Sequence, residues 1–175
     1  MGDRAAFSAL VREHQRSVFF LALRLSRGDE QLARDVAQKT FLQAWARRAS
    51  FRGESSYKTW LLRITSNLCS NELRRAWRQR ELVPQAPDGA PAELGRTDPT
   101  SDADLDEQAR RQALRDAVHA LPDRQRRVAI LRLYEDLAFG EIADVLGITA
   151  NNAKVSFHHA VKKLRAALEP TVEAP

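Results

Sequence analysis

The feature that most limits how this chain can fold is a break in its helical pattern near the middle of the sequence. From Val83 to about Asp102 the regular spacing of apolar side chains stops, and prolines and glycines stand among acids and small residues. Such a composition is typical of a flexible linker. The sequence therefore predicts two small domains, residues 1–80 and 108–175, joined by an acidic flexible linker over 81–107.

Both flanking stretches carry apolar side chains at spacings of three and four residues, the pattern of amphipathic helices. No stretch shows the two-residue alternation of a half-buried strand, so the predicted fold class is all-α. Polar caps and glycines mark the boundaries between helices. Helices are predicted over residues 3–26, 30–48, 55–80, 105–119, 123–134, 139–146 and 150–168.

The same spacing assigns side chains to the predicted cores. The third helix is expected to bury Trp60, Leu61, Ile64, Leu68 and Leu73. The helix over 123–134 is expected to bury Val128, Leu131 and Leu133. The last helix is expected to bury Ala153, Phe157, Ala160, Val161, Leu164 and Leu168.

Charge is distributed unevenly along the chain. The formal net charge is +5, but residues 81–107 carry −7, which leaves +12 on the two helical parts. Two basic domains on either side of an acidic segment favour a polyanionic partner.

The sequence lacks the residue patterns that several other classes of function require. The single cysteine, Cys69, excludes an intrachain disulfide, and four scattered histidines give no zinc-ligand spacing, so no metal or cofactor is expected. No nucleophile–base pair or phosphate-binding glycine loop stands out, which argues against an enzyme or a small-molecule substrate. No apolar run could cross a bilayer, and Asp3 and Arg4 come early for a signal peptide, so a cytoplasmic location is expected.

The strongest local motif spans residues 139–149. A short apolar helix ends at Gly147, which can adopt a left-handed conformation, Ile148 can fill the corner, and Thr149 can cap the next helix. This pattern is typical of a DNA-binding helix-turn-helix, whose second helix enters the major groove. An ordinary helical hairpin is the alternative, but it would not explain an exposed valine among Asn, Lys and His. The polar face of the second helix includes Asn151, Lys154, Val155, His158 and Lys162.

The third helix carries a basic strip with two amides, which could lie on phosphates while the amides approach bases. A solvated basic surface explains this strip equally well. In the loop before it, Phe51 has nothing local to bury against, so it is either a core plug or a stacking platform for an unpaired base. The members of the strip are Arg63, Asn67, Asn71, Arg74, Arg75 and Arg78.

Two separated stretches resemble the extracytoplasmic-function sigma factors, group 4 of the sigma-70 family. Residues 35–45, 51–55 and 59–64 with Asn67 are similar to sigma region 2, and residues 121–165 are similar to region 4. The order, spacing and total length all agree. The resemblance covers nearly the whole chain except the linker.

The resemblance implies a transcription-initiation role for each part of the chain. Region 2 would bind the clamp helices of the largest subunit of core RNA polymerase through Asp35, Gln38, Phe41, Leu42 and Trp45. It would capture the non-template strand of the −10 element, with one base flipped out, through Phe51, Arg52, Ser56, Arg63, Asn67, Asn71, Arg74, Arg75 and Arg78. Region 4 would touch the polymerase flap and read the −35 duplex through Asn152, Lys154, Val155, His158, His159 and Lys162.

Two further expectations follow from the resemblance. The acidic linker would thread toward the RNA exit channel of the polymerase, and an anti-sigma factor, often membrane-anchored in this family, would hold the protein inactive. The chain departs from the family pattern at Lys39, where an acid is usual, and at residues 150–154, which lack the usual Gly-Thr-Val. Ser156 replaces a common basic residue, which predicts weaker phosphate contacts or an altered −35 preference.

Two other functions compete with the sigma factor. A stand-alone helix-turn-helix regulator would explain residues 123–168 but would leave Phe51 and the 35–45 segment unassigned. A sigma-like decoy would bind polymerase without starting transcription, and the altered recognition helix keeps that alternative open.

Overall fold

A computed structural model of the chain describes residues 2–82 and 102–168. Within these ranges the chain forms seven α-helices and no strand, which confirms the all-α prediction. The bounds are Gly2–Leu25 for α1, Glu30–Arg47 for α2, Tyr57–Leu82 for α3, Asp102–Ala120 for α4, Asp123–Tyr134 for α5, Phe139–Leu146 for α6 and Ala150–Leu168 for α7.

The predicted linker differs from the structure at both of its edges. Helix α3 continues to Leu82, and α4 already begins at Asp102, so residues 83–101 are the part that lies outside the described residues. The predicted linker therefore overlaps the last residues of α3 and the start of α4.

Helix starts follow from side chains that accept hydrogen bonds from free backbone N–H groups. The Asp29 carboxylate accepts from the N–H of Leu32 at 2.9 Å, and the Ser56 hydroxyl accepts from that of Thr59 at 3.0 Å. Each contact satisfies one of the donors that a helix leaves unpaired in its first turn. The predicted starts of α2 and α3 are confirmed.

Helices α1, α2 and α3 pack together around one apolar cluster. Val18, Ala44, Leu61 and Ile64 are its buried members, with Phe7, Phe41 and Trp60 partly buried around it. Leu61 and Ile64 are buried as predicted, whereas Trp60, Leu68 and Leu73 are half-buried. These three helices carry the first predicted domain.

A second, larger cluster joins the two halves of the chain. It contains Leu23 of α1 and Leu62 of α3 together with Val128 of α5 and Ile142 of α6, all almost fully buried. Helix α3 packs along α6, and α1 packs against α5. The described helices therefore form one body, and α3 contacts helices on both sides.

Two predicted core residues are exposed. Leu133 is 52% exposed, because it lies two residues, about 200° of helix, from the buried Leu131. Leu168 is 41% exposed, because it is the last residue of α7 and lies one turn beyond Leu164, where the packing ends. Both assignments to the core were wrong.

Candidate nucleic-acid interface

The turn between α6 and α7 has the local geometry that its sequence predicted. Gly147 adopts a left-handed conformation, with φ of 66° and ψ of 39°. The hydroxyl of Thr149 accepts the backbone N–H of Asn152 at 3.1 Å, which caps α7. Ile148 packs against the main cluster at the corner. Helices α6 and α7 therefore form a tight helix-turn-helix unit.

Helix α7 buries one side and exposes the other. Ala153, Ala160 and Leu164 are buried, and Phe157 packs edge-on against Phe139 of α6 with ring centroids 5.7 Å apart. All the side chains predicted to read the −35 duplex are exposed, including the apolar Val155 at 46%. These residues are Asn152, Lys154, Val155, His158, His159 and Lys162.

Ser156 does not lie on the exposed face of α7. It is buried among the side chains that hold the helix to the rest of the domain. Ser156 is therefore no candidate for a DNA contact itself, and the effect of losing a basic residue at this position on phosphate contacts stays a prediction. A long basic residue would need space that the packing does not leave.

The basic strip of α3 is exposed along its whole length. Arg74 donates to the Asn71 side-chain oxygen at 2.6 Å and to the backbone carbonyl of Ser70 at 3.2 Å. The strip contains no carboxylate, and it presents amides and guanidinium groups that can bond to bases and phosphates. Its exposed members are Arg63, Asn67, Asn71, Arg74, Arg75 and Arg78.

The loop before α3 is held by aromatic contacts that the sequence did not reveal. Phe51 packs edge-on against Tyr57 and tilted against Trp60, with ring centroids 4.8 and 5.2 Å apart. Phe51 is half-buried, so the expectation that it has nothing local to bury against was wrong. Arg52 and Ser56 are exposed on either side of it. The cluster fixes the loop while keeping polar groups at its surface.

Helix α2 presents a mixed face to solvent. Asp35, Gln38 and Leu42 are exposed, with Leu42 at 62%, and Phe41 and Trp45 are half-buried. Trp45 is braced by the Phe7 ring, whose centroid lies 4.9 Å away, and by the Arg48 guanidinium, 4.0 Å from its ring centre. An exposed leucine beside braced aromatics is a surface that suits a protein partner.

Lys39 points away from that face and toward α3. Its ammonium lies 2.6 Å from a carboxylate oxygen of Glu72, and this hydrogen bond lowers the pKa of Glu72. Lys39 departs from the family pattern, and its ion pair with Glu72 joins α2 to α3.

Polar contacts join α3 to the second half of the chain. The Lys58 ammonium lies 3.2 Å from the Glu135 carboxylate and donates to the Glu135 backbone carbonyl at 2.9 Å. The Thr59 hydroxyl donates to Glu141 at 3.1 Å, and the same carboxylate accepts the backbone N–H of Ala138 at the start of α6. Glu135 is buried, so Lys58 compensates a charge that water cannot reach.

A cleft of about 370 Å³ lies further along α3, between α3 and α5. Asn67 and Arg74 of the basic strip line it on one side, and Asp123 and Arg127 line it on the other. The packed arrangement therefore places the start of α5 next to two residues predicted to read the −10 element.

Cys69 lies at the bottom of the same cleft. Its thiol is buried, and burial raises its pKa to about 12, which keeps it protonated. Nucleophilic reactivity requires the thiolate. This thiol should therefore be inert as long as it stays buried.

The described residues contain neither a metal site nor a membrane-spanning helix. Within 2–82 and 102–168, no group of three or more His, Cys, Asp or Glu side chains could hold a metal ion. In the same ranges, no helix has the length and hydrophobicity to cross a membrane.

Fold and surface together define a class of protein. The described chain is an all-helical body with a helix-turn-helix at one end and a second basic helix, preceded by a clamped loop, in its other half. A helix-turn-helix and exposed basic helices are features typical of DNA-binding proteins.

Comparison with known proteins narrows the class to a family. The family model for sigma-70 region 2 matches residues 10–79, and that for sigma-70 region 4 matches residues 111–164. The chain is 33% identical to the RNA polymerase sigma-H factor of Pseudomonas aeruginosa, over 97% of this chain and 89% of that protein. It is 30% identical to the RNA polymerase sigma factor YlaC of Bacillus subtilis, over 94% and 93%. The chain belongs to the extracytoplasmic-function sigma factors of the sigma-70 family, which are transcription-initiation factors rather than catalytic enzymes.

Solved structures share the fold. The sigma factor RpoE from Bartonella quintana, solved with the anti-sigma factor NepR, aligns with a TM-score of 0.78 at 22% identity, over 95% of this chain and 98% of that one. CnrH, solved with the cytosolic domain of CnrY, aligns with a TM-score of 0.65 at 25% identity, over 94% and 88%.

Proposed function

We propose that this chain binds core RNA polymerase and directs it to promoters by reading a −35 element with α7 and a −10 element with α3. The observation that carries the proposal is the presence of two separate exposed faces suited to nucleic acid on one chain. One is the outer side of α7, and the other is the basic strip of α3. A stand-alone helix-turn-helix regulator has no use for the second face.

The two faces suit different forms of DNA. Helix α7 can enter a major groove, where Lys154 and His158 can bond to phosphates or base edges and Val155 can touch a thymine methyl. The strip on α3 lies next to the loop clamped by Phe51, which presents polar groups at a surface that an unpaired strand could follow. Flipping a base out of a duplex costs a few kcal/mol, which stacking and hydrogen bonds in such a pocket can offset.

Polymerase binding is assigned to the exposed face of α2. Gln38 and Asp35 supply polar contacts there, and Leu42 supplies an apolar anchor. Lys39 is engaged with Glu72, so it does not oppose a basic partner surface at that face. The clamp helices of the largest polymerase subunit are the proposed partner, with the polymerase flap as the partner of the second domain.

Promoter binding requires the packed halves to separate. The −35 and −10 elements lie about 25 base pairs apart, which is roughly 85 Å of duplex. A compact chain of this length has a radius of gyration of only about 16 Å. The stretch from 83 to 101 can span at most about 65 Å. Because this length adds to the widths of the two domains, the separated domains can reach both elements.

An anti-sigma factor is the proposed regulator of this separation. A partner that binds the packed form better than the open form would hold the chain away from promoters. The RpoE structure described above was solved with an anti-sigma factor, NepR, which supports this kind of regulator. We propose a cytoplasmic site of action, and membrane anchoring of the regulator is part of the same hypothesis.

Genomic run-off transcription with bacterial core polymerase, with and without the protein, tests the proposal. Discrete transcription starts that share −35 and −10 elements are the expected result. A protein that binds polymerase but gives no start would be a decoy. A protein that does not bind polymerase but protects a palindromic operator by itself would be a stand-alone regulator.

A further inference from the structure

A second pocket lies between the two halves, away from both DNA-facing surfaces. Helix α1 supplies Leu23 and Arg24, α4 supplies most of one wall, and α5 supplies Ile130 and Tyr134. Its volume is about 340 Å³, which falls in the range of small-molecule sites. The α4 residues that line it are Arg111, Leu114, Arg115, Val118 and His119.

The interior of this pocket is apolar. Leu23, Val118 and Ile130 are almost fully buried at its walls, and Leu114 packs against the same cluster. Such walls favour an apolar body over water. The volume can hold a chain of roughly ten carbons, but not a polypeptide helix, whose diameter with side chains is about 10–12 Å.

Positive charge surrounds the apolar interior. The Arg24 guanidinium stacks on the Tyr134 ring at 4.1 Å, and among the described residues Arg115 donates to the neutral side chain of Gln112. No ion pair of either arginine is found in the described ranges, although the Glu135 carboxylate acts on Arg24 at longer range. Arg111 is paired with Glu107 at 2.8 Å. Guanidinium groups on apolar surfaces are favourable sites for carboxylates.

His119 contributes a buried polar atom to the lining of this pocket. Burial, followed by the nearby Arg126 and Arg27, lowers its pKa, so the ring is neutral near pH 7 in a region where cations predominate. Its Nδ1 atom is buried and has no hydrogen-bond partner among the described residues. A neutral imidazole can donate or accept one hydrogen bond from a bound polar group.

We propose that this pocket binds an amphipathic carboxylate, a small acid whose apolar body fills the space between Leu23, Leu114 and Ile130 and whose carboxylate pairs with Arg115 and Arg24. Both halves of the chain form the walls, so the acid binds only when the halves are packed. By linkage, the acid therefore favours the packed form over the promoter-binding form. This regulatory consequence rests on the proposed function, whereas the binding itself does not.

Isothermal titration of the full chain with decanoate, kept below its micelle-forming concentration, tests the site. We expect saturable one-to-one binding of decanoate and none of decylamine, a probe of the same length and opposite charge. Arg115→Gln should weaken binding about tenfold, the loss of one charge-assisted hydrogen bond. Arg110→Gln is the matched control, since Arg110 lies on the same helix and is exposed but does not line the pocket.

The coupling to packing has a separate readout. Decanoate should slow the reaction of the Cys69 thiol with a water-soluble disulfide reagent, because that thiol is buried in a core cluster to which both halves contribute, beside Arg127 of α5. Equal binding of decanoate and decylamine, equal weakening by both arginine variants, or no saturable binding would overturn the site. These titrations need neither polymerase nor DNA, so they fail or succeed independently of the promoter-binding proposal.

Discussion

Two glycines of the helix-turn-helix face opposite conformational demands. Gly147 has a φ of +66°, where a side chain costs about 1 kcal/mol, although a Cβ there would touch nothing. Gly140 lies inside α6, and a Cβ there also meets nothing within 4 Å. We expect Gly147→Ala to lower the free energy of unfolding by about 1 kcal/mol and Gly140→Ala to raise it by about 0.5 kcal/mol. Urea unfolding measures both changes, and two changes of the same sign would refute this account of the turn.

His119 predicts how stability depends on pH. Its folded pKa is lowered by burial and then by Arg126, while the unfolded side chain titrates at about 6.5. Below that value the unfolded chain takes up a proton that the folded chain does not, so stability is full above it and falls as pH drops toward the folded pKa. We expect His119→Gln to flatten the loss of unfolding free energy on acidification from about pH 7.5 to pH 5.5. An identical pH slope in the variant would show that other groups cause the loss.

At the scale of the element, α7 offers a matched pair of lysines for testing its orientation. Lys154 and Lys163 are both exposed, but they lie about half a turn apart around the helix. We expect Lys154→Ala to weaken binding of the polymerase complex to −35 duplex and to reduce the slope of log affinity against log salt by about 1. Lys163→Ala should change neither quantity. Equal effects would mean that the helix enters the groove in another orientation.

The helices were predictable because their ends are set by neighbours in sequence. The caps at Asp29 and Thr149 and the left-handed Gly147 each depend on two or three adjacent residues, so their spacing alone indicated them. The orientation of Ser156 and the partners of Phe51 were not predictable in this way. Each depends on which side chains from other turns fill the space around it, and a family pattern does not contain that information.

At the scale of the whole molecule, the packing of the two halves was invisible in the sequence. Leu62 lies outside the apolar stripe predicted for α3, and it is buried together with Leu23 of α1 in the core to which the second half contributes. The runs 21–23 and 61–62 were the available signal, since a helix that buries one face needs fewer consecutive apolar residues. The sequence could not show which helices cover the additional apolar side of α1 and α3, because the segment between the two halves permits many arrangements.

The ion pair between Lys58 and Glu135 should stabilise the packed arrangement of the two halves. Removing Lys58 leaves a buried carboxylate without its compensating charge, which is strongly unfavourable. We expect Lys58→Met to speed the labelling of the Cys69 thiol by about tenfold, as the halves separate more often. Lys163→Met is the matched control, because Lys163 is exposed on α7 and lines no part of the cleft that holds Cys69, so the labelling rate should stay unchanged. Equal acceleration by both would indicate general loosening instead of separation.

In the proposed function, one chain reads two promoter elements with two different helices. The most direct test is run-off transcription from a promoter identified for this protein, on intact templates and on templates altered in either element. We expect Asn67→Ala to reduce initiation on intact and −35-altered templates but to cost nothing further on −10-altered ones, with the opposite pattern for Lys154→Ala. Losses that do not depend on the template, from variants that still fold and bind polymerase, would contradict the assignment of α3 and α7 to separate elements.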